Sequence, residues 1–134
     1  MATAKDMLET YPRSFNVDAD TLASAIDALI ECGSTCTQCA DACLSEDDVA
    51  AMAKCIRLNL DCADICATTS RVLGRQTEYD ANVTRSLLEA CVAACKSCGD
   101  ECQSHSEHMR HCAICAESCR RCESACQELL GAMA

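Results

Sequence analysis

The sequence contains few of the residues that usually fill or interrupt a protein core. Its 134 residues include one Phe, two Tyr and no Trp, with only one Pro and four Gly. Because Pro and Gly disfavour helix interiors, their scarcity permits long helices. Because large aromatic side chains are so few, another residue type has to fill the interior.

Segments that would direct the chain to a membrane or across one are also missing. No stretch approaches the roughly 20 apolar residues that a membrane-spanning helix needs. Residues 1–20 carry one Lys, one Arg and no apolar run, so they match neither a signal peptide nor a transit peptide. We therefore expect a cytoplasmic protein with no membrane partner.

The chain has few positively charged residues. The chain has 11 Lys and Arg against 21 Asp and Glu, which gives a formal net charge of −10. A protein of this charge cannot neutralise the phosphates of a nucleic acid, so we exclude that class of partner. The acidic surface favours the attraction of cations.

The residue present in excess is cysteine, with 16 copies. In a chain this short, such abundance indicates either a disulfide framework or metal ligation. A cytoplasmic protein keeps its thiols reduced, which disfavours disulfides. The cysteines are therefore expected to be metal ligands or redox groups.

The residues between the cysteines predict helix throughout, because Ala, Leu, Glu, Asp and Arg predominate. The signals for helix ends are Asp18 or Asp20, Ser45 with Asp48, Gly74, Thr77 with Asp80, Ser104 with Glu107, and Gly131. They predict helices at about residues 19–43, 46–73, 79–103 and 105–130. The residues before Tyr11 are expected to add at most a short helix.

Four helices of this length, joined by short turns, predict an all-α fold. The expected architecture is an antiparallel up-down-up-down four-helix bundle with a cysteine-lined core, forming a single domain over residues 1–134. Residues 32–73 align with residues 91–131, at an offset of 59 positions in the first helix of each pair and 60 in the second. The chain therefore looks like a duplicated helical hairpin.

The cysteines repeat one spacing template, of four, three and four residues, on the predicted helices. This is the period of one helix face, and in a bundle that face points to the axis. The second helix departs from the template, because Asn59 stands where a cysteine is expected. The candidate metal ligands are Cys32, Cys36, Cys39, Cys43, Cys55, Cys62, Cys66, Cys91, Cys95, Cys98, Cys102, Cys112, Cys115, Cys119, Cys122 and Cys126.

Copper(I) is the metal that best fits this stripe of thiols. Thiolates are soft ligands that select copper(I), zinc and iron–sulfur clusters. A buried zinc ion with four thiolates retains negative charge, whereas about one copper(I) per thiolate leaves the core near neutral. Zinc fingers and iron–sulfur motifs hold their cysteines on turns and loops, whereas these lie within helices. The sequence therefore predicts a protein that binds multiple copper(I) ions.

Other roles for the cysteines fit less well. Cysteine often acts as a small buried hydrophobe, but that does not explain a stripe on every helix. A zinc or mixed-metal thiolate buffer and a thiol redox sensor, whose oxidation would join helices, stay as alternative functions. A dyad of Cys112 and His108 lacks a third group and a pocket, so no enzymatic activity is predicted.

All three histidines, His105, His108 and His111, lie in the first turns of the predicted fourth helix. His108 is four residues before Cys112, which places it on the centre line of the stripe, with the other two flanking it. We name the end of the bundle that carries these residues the histidine end. We interpret it as the entrance for copper; the alternative is a solvated start of a helix.

Two further residues of the second predicted helix are candidate ligands. Met52 aligns with Cys112 in the repeat, and Asn59 occupies a cysteine position. Core packing is the alternative for Met52. A buried amide needs a hydrogen-bond partner, so Asn59 is expected to bind backbone, water or copper.

With these features in view, residues 20–131 resemble the four-helix-bundle copper storage proteins (Csp), and specifically their cytosolic branch. The repeated Cys quartets, together with His and Met residues at one end, carry the resemblance. It implies cytosolic storage and detoxification of copper(I), with on the order of ten or more ions per chain held between Cys pairs. It also implies a homotetramer, uptake at the histidine end and a role for Asn59 near the copper ions. We further expect a carrier or copper chaperone to deliver the ions.

Overall fold

The computed structural model describes residues 2–133, which form five α-helices and one 3₁₀ turn, with no strand in that range. The predicted all-α class is therefore confirmed. The 3₁₀ turn spans Val49–Met52. The helices are α1 (Ala2–Glu9), α2 (Ala19–Leu44), α3 (Ala53–Leu73), α4 (Ala81–Ser104) and α5 (Arg110–Met133).

Helices α2 to α5 form the predicted antiparallel four-helix bundle. Each packs against its neighbours along the chain, and α5 closes the ring by packing on α2. Within residues 2–133, helices on opposite corners of the bundle have no Cα atoms within 8 Å of one another. Side chains alone therefore fill the axis. No helix in this range is long and apolar enough to cross a membrane.

Three of the predicted helix ends coincide with observed caps. The Asp18 side chain accepts a hydrogen bond from the Thr21 backbone N–H at 3.0 Å and begins α2. Asp80 does the same for α4, accepting from the Asn82 N–H at 2.8 Å. Gly74 follows the last residue of α3.

The predicted start of the second bundle helix at residue 46 is wrong. Ser45 caps the C-terminus of α2, where its N–H donates to the Ala42 carbonyl at 3.0 Å. Asp48 instead accepts from the Ala51 N–H at 3.3 Å and begins the 3₁₀ turn. The α-helical backbone starts only at Ala53, because this side-chain bond closes a tighter turn first.

The predicted start of the fourth bundle helix at residue 105 is also wrong. His105 follows the last residue of α4, and its N–H donates to the Cys102 carbonyl at 3.1 Å. The chain then turns, with the Met109 N–H bonded to the His105 carbonyl at 3.1 Å, before α5 begins at Arg110. Ser104 and Glu107 therefore do not form a capping box, and the turn is longer than predicted.

The end of the bundle opposite the histidines is apolar and covered by the N-terminal segment. Its buried side chains are Leu22, Ile26, Leu29, Leu73, Leu88 and Leu129. Helix α1 packs on α2 through the buried Leu8. The Tyr11 hydroxyl is hydrogen-bonded to the Thr77 hydroxyl at 2.8 Å, which ties this segment to the connection between α3 and α4. The bundle is therefore closed at this end.

Candidate metal centre

The axis of the bundle is filled by sulfur. All 16 cysteines are buried and none forms a disulfide. Cys39 is 2% exposed and the other fifteen are fully buried. The helix face that the spacing defines therefore points to the axis on all four bundle helices.

Neighbouring sulfurs approach one another both along a helix and across the bundle. Along α2, the Cys32 and Cys36 sulfurs are 3.7 Å apart, as expected for residues four positions apart on one face. The shortest distance, 3.5 Å, joins Cys66 on α3 to Cys91 on α4. Each sulfur in these contacts therefore has neighbours on more than one side.

The thiols group into overlapping four-donor and three-donor clusters along the axis. Within each cluster all donor atoms lie within 4.8 Å of one another. Three clusters contain four cysteines each: Cys32, Cys66, Cys95 and Cys122; Cys32, Cys36, Cys62 and Cys119; and Cys36, Cys98, Cys115 and Cys119. Because Cys32, Cys36 and Cys119 are shared, a bound metal ion would have further donors within reach.

The sulfur separations decide which coordination the thiols reach with least movement. Two metal–sulfur bonds of about 2.3 Å in a straight line span about 4.6 Å, whereas a three-coordinate ion at the same bond length needs about 4.0 Å. The closest sulfur–sulfur contacts run from 3.5 Å to 4.0 Å. These closest pairs are thus nearer to the three-coordinate spacing than to the linear one, whereas other donor pairs in the clusters lie up to 4.8 Å apart.

Asn59 is fully buried. Among the described residues, the hydrogen-bond partners of its side-chain amide are all cysteine thiols. Its Oδ1 accepts hydrogen bonds from the Cys115 and Cys98 sulfurs at 3.0 and 3.1 Å. Its Nδ2 donates to the Cys55 sulfur at 3.4 Å. The amide therefore occupies the cysteine position of the template and continues the polar column.

His111 is the histidine that the structure brings to the thiols. Its Nδ1 lies 3.4 Å from the Cys39 sulfur and 3.6 Å from the Cys112 sulfur. Its Nε2 lies 3.4 Å from Glu46 Oε2. Together with Cys43, these thiols and this ring nitrogen form a mixed cluster, which we define as Cys39, Cys43, His111 and Cys112.

The other two histidines occupy different surroundings. His105 Nε2 lies 2.9 Å from Glu101 Oε2, and its ring is half-buried. His108 is exposed in the turn before α5. The prediction that His108 extends the cysteine stripe is wrong, because α5 begins at Arg110 and the helical period does not reach back to residue 108.

Met52 is buried, with 1% of its surface exposed, at the end of the 3₁₀ turn. It belongs to the same buried cluster as the cysteines. Its burial agrees with both core packing and ligation, so its role as a ligand stays a prediction.

Burial and hydrogen bonding shift the pKa values of the mixed cluster in different directions. Burial raises the pKa of Cys43 to about 11 and also raises that of Cys112. The pKa of Cys39 falls to about 6; Cys102 raises it, but Cys115 and other neighbours stabilise the thiolate more. For His111, burial lowers the pKa, but Cys39 and Glu46 raise it by more. Cys39 is therefore the thiol of this cluster that most readily gives a thiolate.

Sequence reasoning missed the two glutamates that hold the histidines. Glu101 precedes His105 by four residues on α4, and this helical spacing was a usable signal. Glu46 is 65 residues from His111, and no local pattern joins them. Only the packing of the α2–α3 connection against the start of α5 brings this pair together.

Comparison with known proteins gives matches that span the bundle. The family model described as "Csp: Copper storage protein" matches residues 18–131. The cytosolic copper storage protein Ccsp of Streptomyces lividans, in a structure loaded with 10 copper equivalents, is 53% identical. That comparison covers 96% of this chain and 98% of the other, with a TM-score of 0.94.

Two further matches agree. A structure of the cytosolic copper storage protein from Streptomyces lividans with five coppers is 54% identical, with a TM-score of 0.83, over 84% of this chain and 93% of that one. The cysteine-rich protein YhjQ of Bacillus subtilis (strain 168) is 32% identical over 79% of this chain and 93% of its own length. The similarity therefore covers most of each chain compared.

Proposed function

The chain belongs to the copper storage protein family, and on that premise we propose that it stores copper(I) in the cytosol and so limits copper toxicity. The copper-loaded Streptomyces lividans protein, at 53% identity, supports this assignment. The ions are the cargo of the protein, and multiple copies occupy one chain.

The observation that carries the proposal is the continuous column of 16 buried, unpaired thiols. Burying this much weakly polar surface has no structural advantage over Leu or Ile, which pack a bundle core more simply. Each thiol releases its proton to solvent when its sulfur binds copper(I), so the thiolate balances the charge of the ion where it binds. At about one copper(I) ion per thiolate, the filled interior carries almost no net charge.

The proposed ligands are the 16 cysteines, with His105, His108, His111, Met52 and Asn59 as minor ligands or transfer sites. Copper enters at the histidine end and moves inward by exchange between neighbouring sulfurs. His111 supports this direction most directly, because its Nδ1 lies 3.4 Å from the Cys39 sulfur. The closed apolar end leaves the histidine end as the natural route.

Membership of the family also supports proposals about domain organisation, assembly and partners. We propose that residues 1–134 form one domain, that four copies associate, and that a copper chaperone delivers the ions. The sulfur column offers metal binding rather than turnover, so the protein is proposed to have no enzymatic activity. Its net charge of −10 supports a surface that binds no nucleic acid.

The decisive experiment is an anaerobic copper(I) titration of the reduced, metal-free protein against a chromophoric chelator. We expect tight binding of about a dozen or more ions per chain, since copper(I) shares thiolates between sites. Saturation at one or two ions would instead indicate a carrier or sensor and would overturn the storage function.

The same titration separates storage of copper from zinc buffering. A zinc or mixed-metal thiolate buffer builds tetrahedral clusters, so its capacity for zinc would stay at about four to six ions per chain. A redox sensor would take up little metal and would form helix-bridging disulfides in protein isolated from oxidised cells. Mass spectrometry after alkylation of free thiols detects those disulfides.

A further inference from the structure

We propose that the mixed cluster of Cys39, Cys43, His111 and Cys112 is a tetrahedral site for one divalent zinc-class cation at the copper entrance. In this cluster a histidine ring nitrogen joins three thiols, and all four donor atoms lie within 4.8 Å of one another. Three cysteines and one histidine are a donor set that structural zinc sites use. Part of the inference, the effect on copper uptake, rests on the proposed function.

The distances among three of the four donor atoms fit a tetrahedral ion. Zinc–sulfur bonds of about 2.3 Å and zinc–nitrogen bonds of about 2.0 Å place two sulfurs about 3.8 Å apart and a sulfur about 3.6 Å from the nitrogen. The Cys39 and Cys112 sulfurs are 3.9 Å apart. His111 Nδ1 is 3.4 Å from the first and 3.6 Å from the second. Three of the four donors therefore already lie near tetrahedral separations, and the Cys43 sulfur, within 4.8 Å of them, completes the set.

Glu46 supplies the outer partner that a zinc-bound histidine requires. A histidine that ligates a metal through one nitrogen usually donates its other ring N–H to a carboxylate, which fixes the tautomer and the orientation of the ring. His111 Nε2 lies 3.4 Å from Glu46 Oε2 while Nδ1 faces the thiols. With Nε2 protonated, the Nδ1 lone pair is directed at the cluster.

Charge and access favour this cluster over the all-cysteine clusters. A zinc ion with four thiolates carries two negative charges, and in the fully buried interior nothing offsets them. With three thiolates and a neutral histidine the complex carries one negative charge. The His111 side chain is 29% exposed, so water screens that charge and the ion reaches the site from solvent.

The binding step balances as a ligand exchange. The zinc ion loses its water ligands and binds three thiolates and one neutral imidazole. The three thiols release their protons to solvent, so no oxidant or reductant takes part. A copper(I) ion that enters by the same donors must first displace the zinc ion, so zinc occupancy slows copper uptake without changing the number of inner thiols.

The test uses the reduced, metal-free, full-length protein and zinc itself. Zinc is titrated against a chromophoric zinc chelator, and cobalt(II) is used as a spectroscopic substitute. We expect one tight equivalent of zinc and the intense visible bands of tetrahedral cobalt with thiolate charge transfer. Replacing the nitrogen ligand in His111→Ala should remove both the tight equivalent and the tetrahedral cobalt spectrum.

Two further variants make the test specific. Glu46→Ala should weaken zinc binding roughly 10- to 100-fold, as loss of an outer-shell partner does, whereas Glu46→Gln keeps an acceptor oxygen and should lose less. Cys126→Ser removes an equally buried thiol from α5, outside the mixed cluster. It should lower copper capacity but bind zinc with the affinity of the parent protein.

Each outcome decides between the inference and its alternatives. Absence of a tight zinc equivalent overturns the inference, as does a tight equivalent that survives in His111→Ala, because zinc would then occupy the all-cysteine clusters. Copper uptake is followed by stopped-flow with and without one equivalent of zinc, and equal rates would overturn the gating effect. If the protein binds its full number of copper ions but no zinc, the zinc inference fails and the storage function still holds. If it binds only one or two copper ions but still binds zinc tightly, the storage function fails and the zinc site remains.

Discussion

The side-chain oxygen of Asn59 on α3 accepts a hydrogen bond from the Cys115 thiol on α5 at 3.0 Å, across the axis of the bundle. These two helices lie on opposite corners, and their backbones do not approach one another. The bond therefore links two helices that are connected only through side chains across the axis. It also shows how a single amide can replace a thiol without leaving a buried polar group unpaired.

We predict that Asn59→Asp destabilises the metal-free protein strongly at neutral pH. A carboxylate in this fully buried position has lost its hydration, at a cost of several kcal/mol. Burial raises the pKa of such a carboxyl, so the lost stability should partly return as the pH falls and the group is protonated. Urea unfolding followed by circular dichroism measures both effects.

Asn59→Leu is the matched control for this prediction. It removes the hydrogen bonds to the thiols but introduces no charge, so its cost should be only about 1–2 kcal/mol. Equal losses for Asp and Leu at neutral pH would show that packing, and not the buried charge, limits this position.

We predict that the metal-free protein loses stability at alkaline pH. Burial raises the pKa of Cys43 from the ordinary value of 9.0 to about 11. Between these values the native thiol keeps a proton that the unfolded chain has lost, so the free energy of unfolding falls as the pH rises. Thermal unfolding measured at several pH values should therefore show a falling midpoint above about pH 9.

The copper-loaded protein provides the control. Its thiols have already released their protons to solvent on binding copper, so the same rise in pH should leave its unfolding midpoint nearly unchanged. A metal-free protein whose midpoint stays level up to pH 11 would contradict the assignment of protonated, buried thiols.

We predict that Gly33→Ala stabilises the bundle by up to about 1 kcal/mol, the difference between Gly and Ala in a helix interior. Gly33 lies within α2, and a Cβ atom there would meet nothing closer than the Ala63 carbonyl oxygen at 3.5 Å. This is ordinary van der Waals contact, so the gain in helix propensity should be kept. Chemical unfolding of the two proteins side by side measures the gain.

Gly99→Ala tests whether the local contact matters. A Cβ atom at this position of α4 would lie 2.9 Å from Arg120 Nη1, so the guanidinium has to move. That guanidinium donates to Asp100 at 2.7 Å, and the strained ion pair should offset the gain in propensity. A stabilisation as large as that of Gly33→Ala would show that the arginine adjusts freely.

We predict that His111→Ala slows copper uptake by the zinc-free protein by about 10-fold, within the range that loss of a group around a metal site causes. Its Nδ1 is 3.4 Å from the Cys39 sulfur, so it is placed to pass copper to the first thiols. The number of ions bound at saturation should not change, because the cysteine column stays intact. Stopped-flow uptake and an equilibrium titration measure the two quantities separately.

His105→Ala is the comparison variant, because His105 bonds to Glu101 at 2.9 Å. It should slow uptake less than His111→Ala does. The reverse order would mean that copper reaches the thiols by another path through the histidine end.

The sequence by itself determined the helical class, the bundle and the contents of its core. The reason is local: a spacing of four and three residues places side chains on one face of any α-helix, whatever surrounds it. Four such faces can be buried together only by turning them to a common axis. The 16 thiols and the position of Asn59 among them were therefore readable from periodicity alone.

Only the tertiary structure decided which groups meet at the histidine end. The turns before α3 and α5 depart from regular helix, so the helical period failed there and pointed to His108 instead of His111. The pairing of His111 with Glu46 joins residues 65 positions apart, through the packing of one helical hairpin on the other. Helix periodicity fixes which way a side chain faces, but the conformation of turns and the contacts between hairpins depend on the whole folded chain.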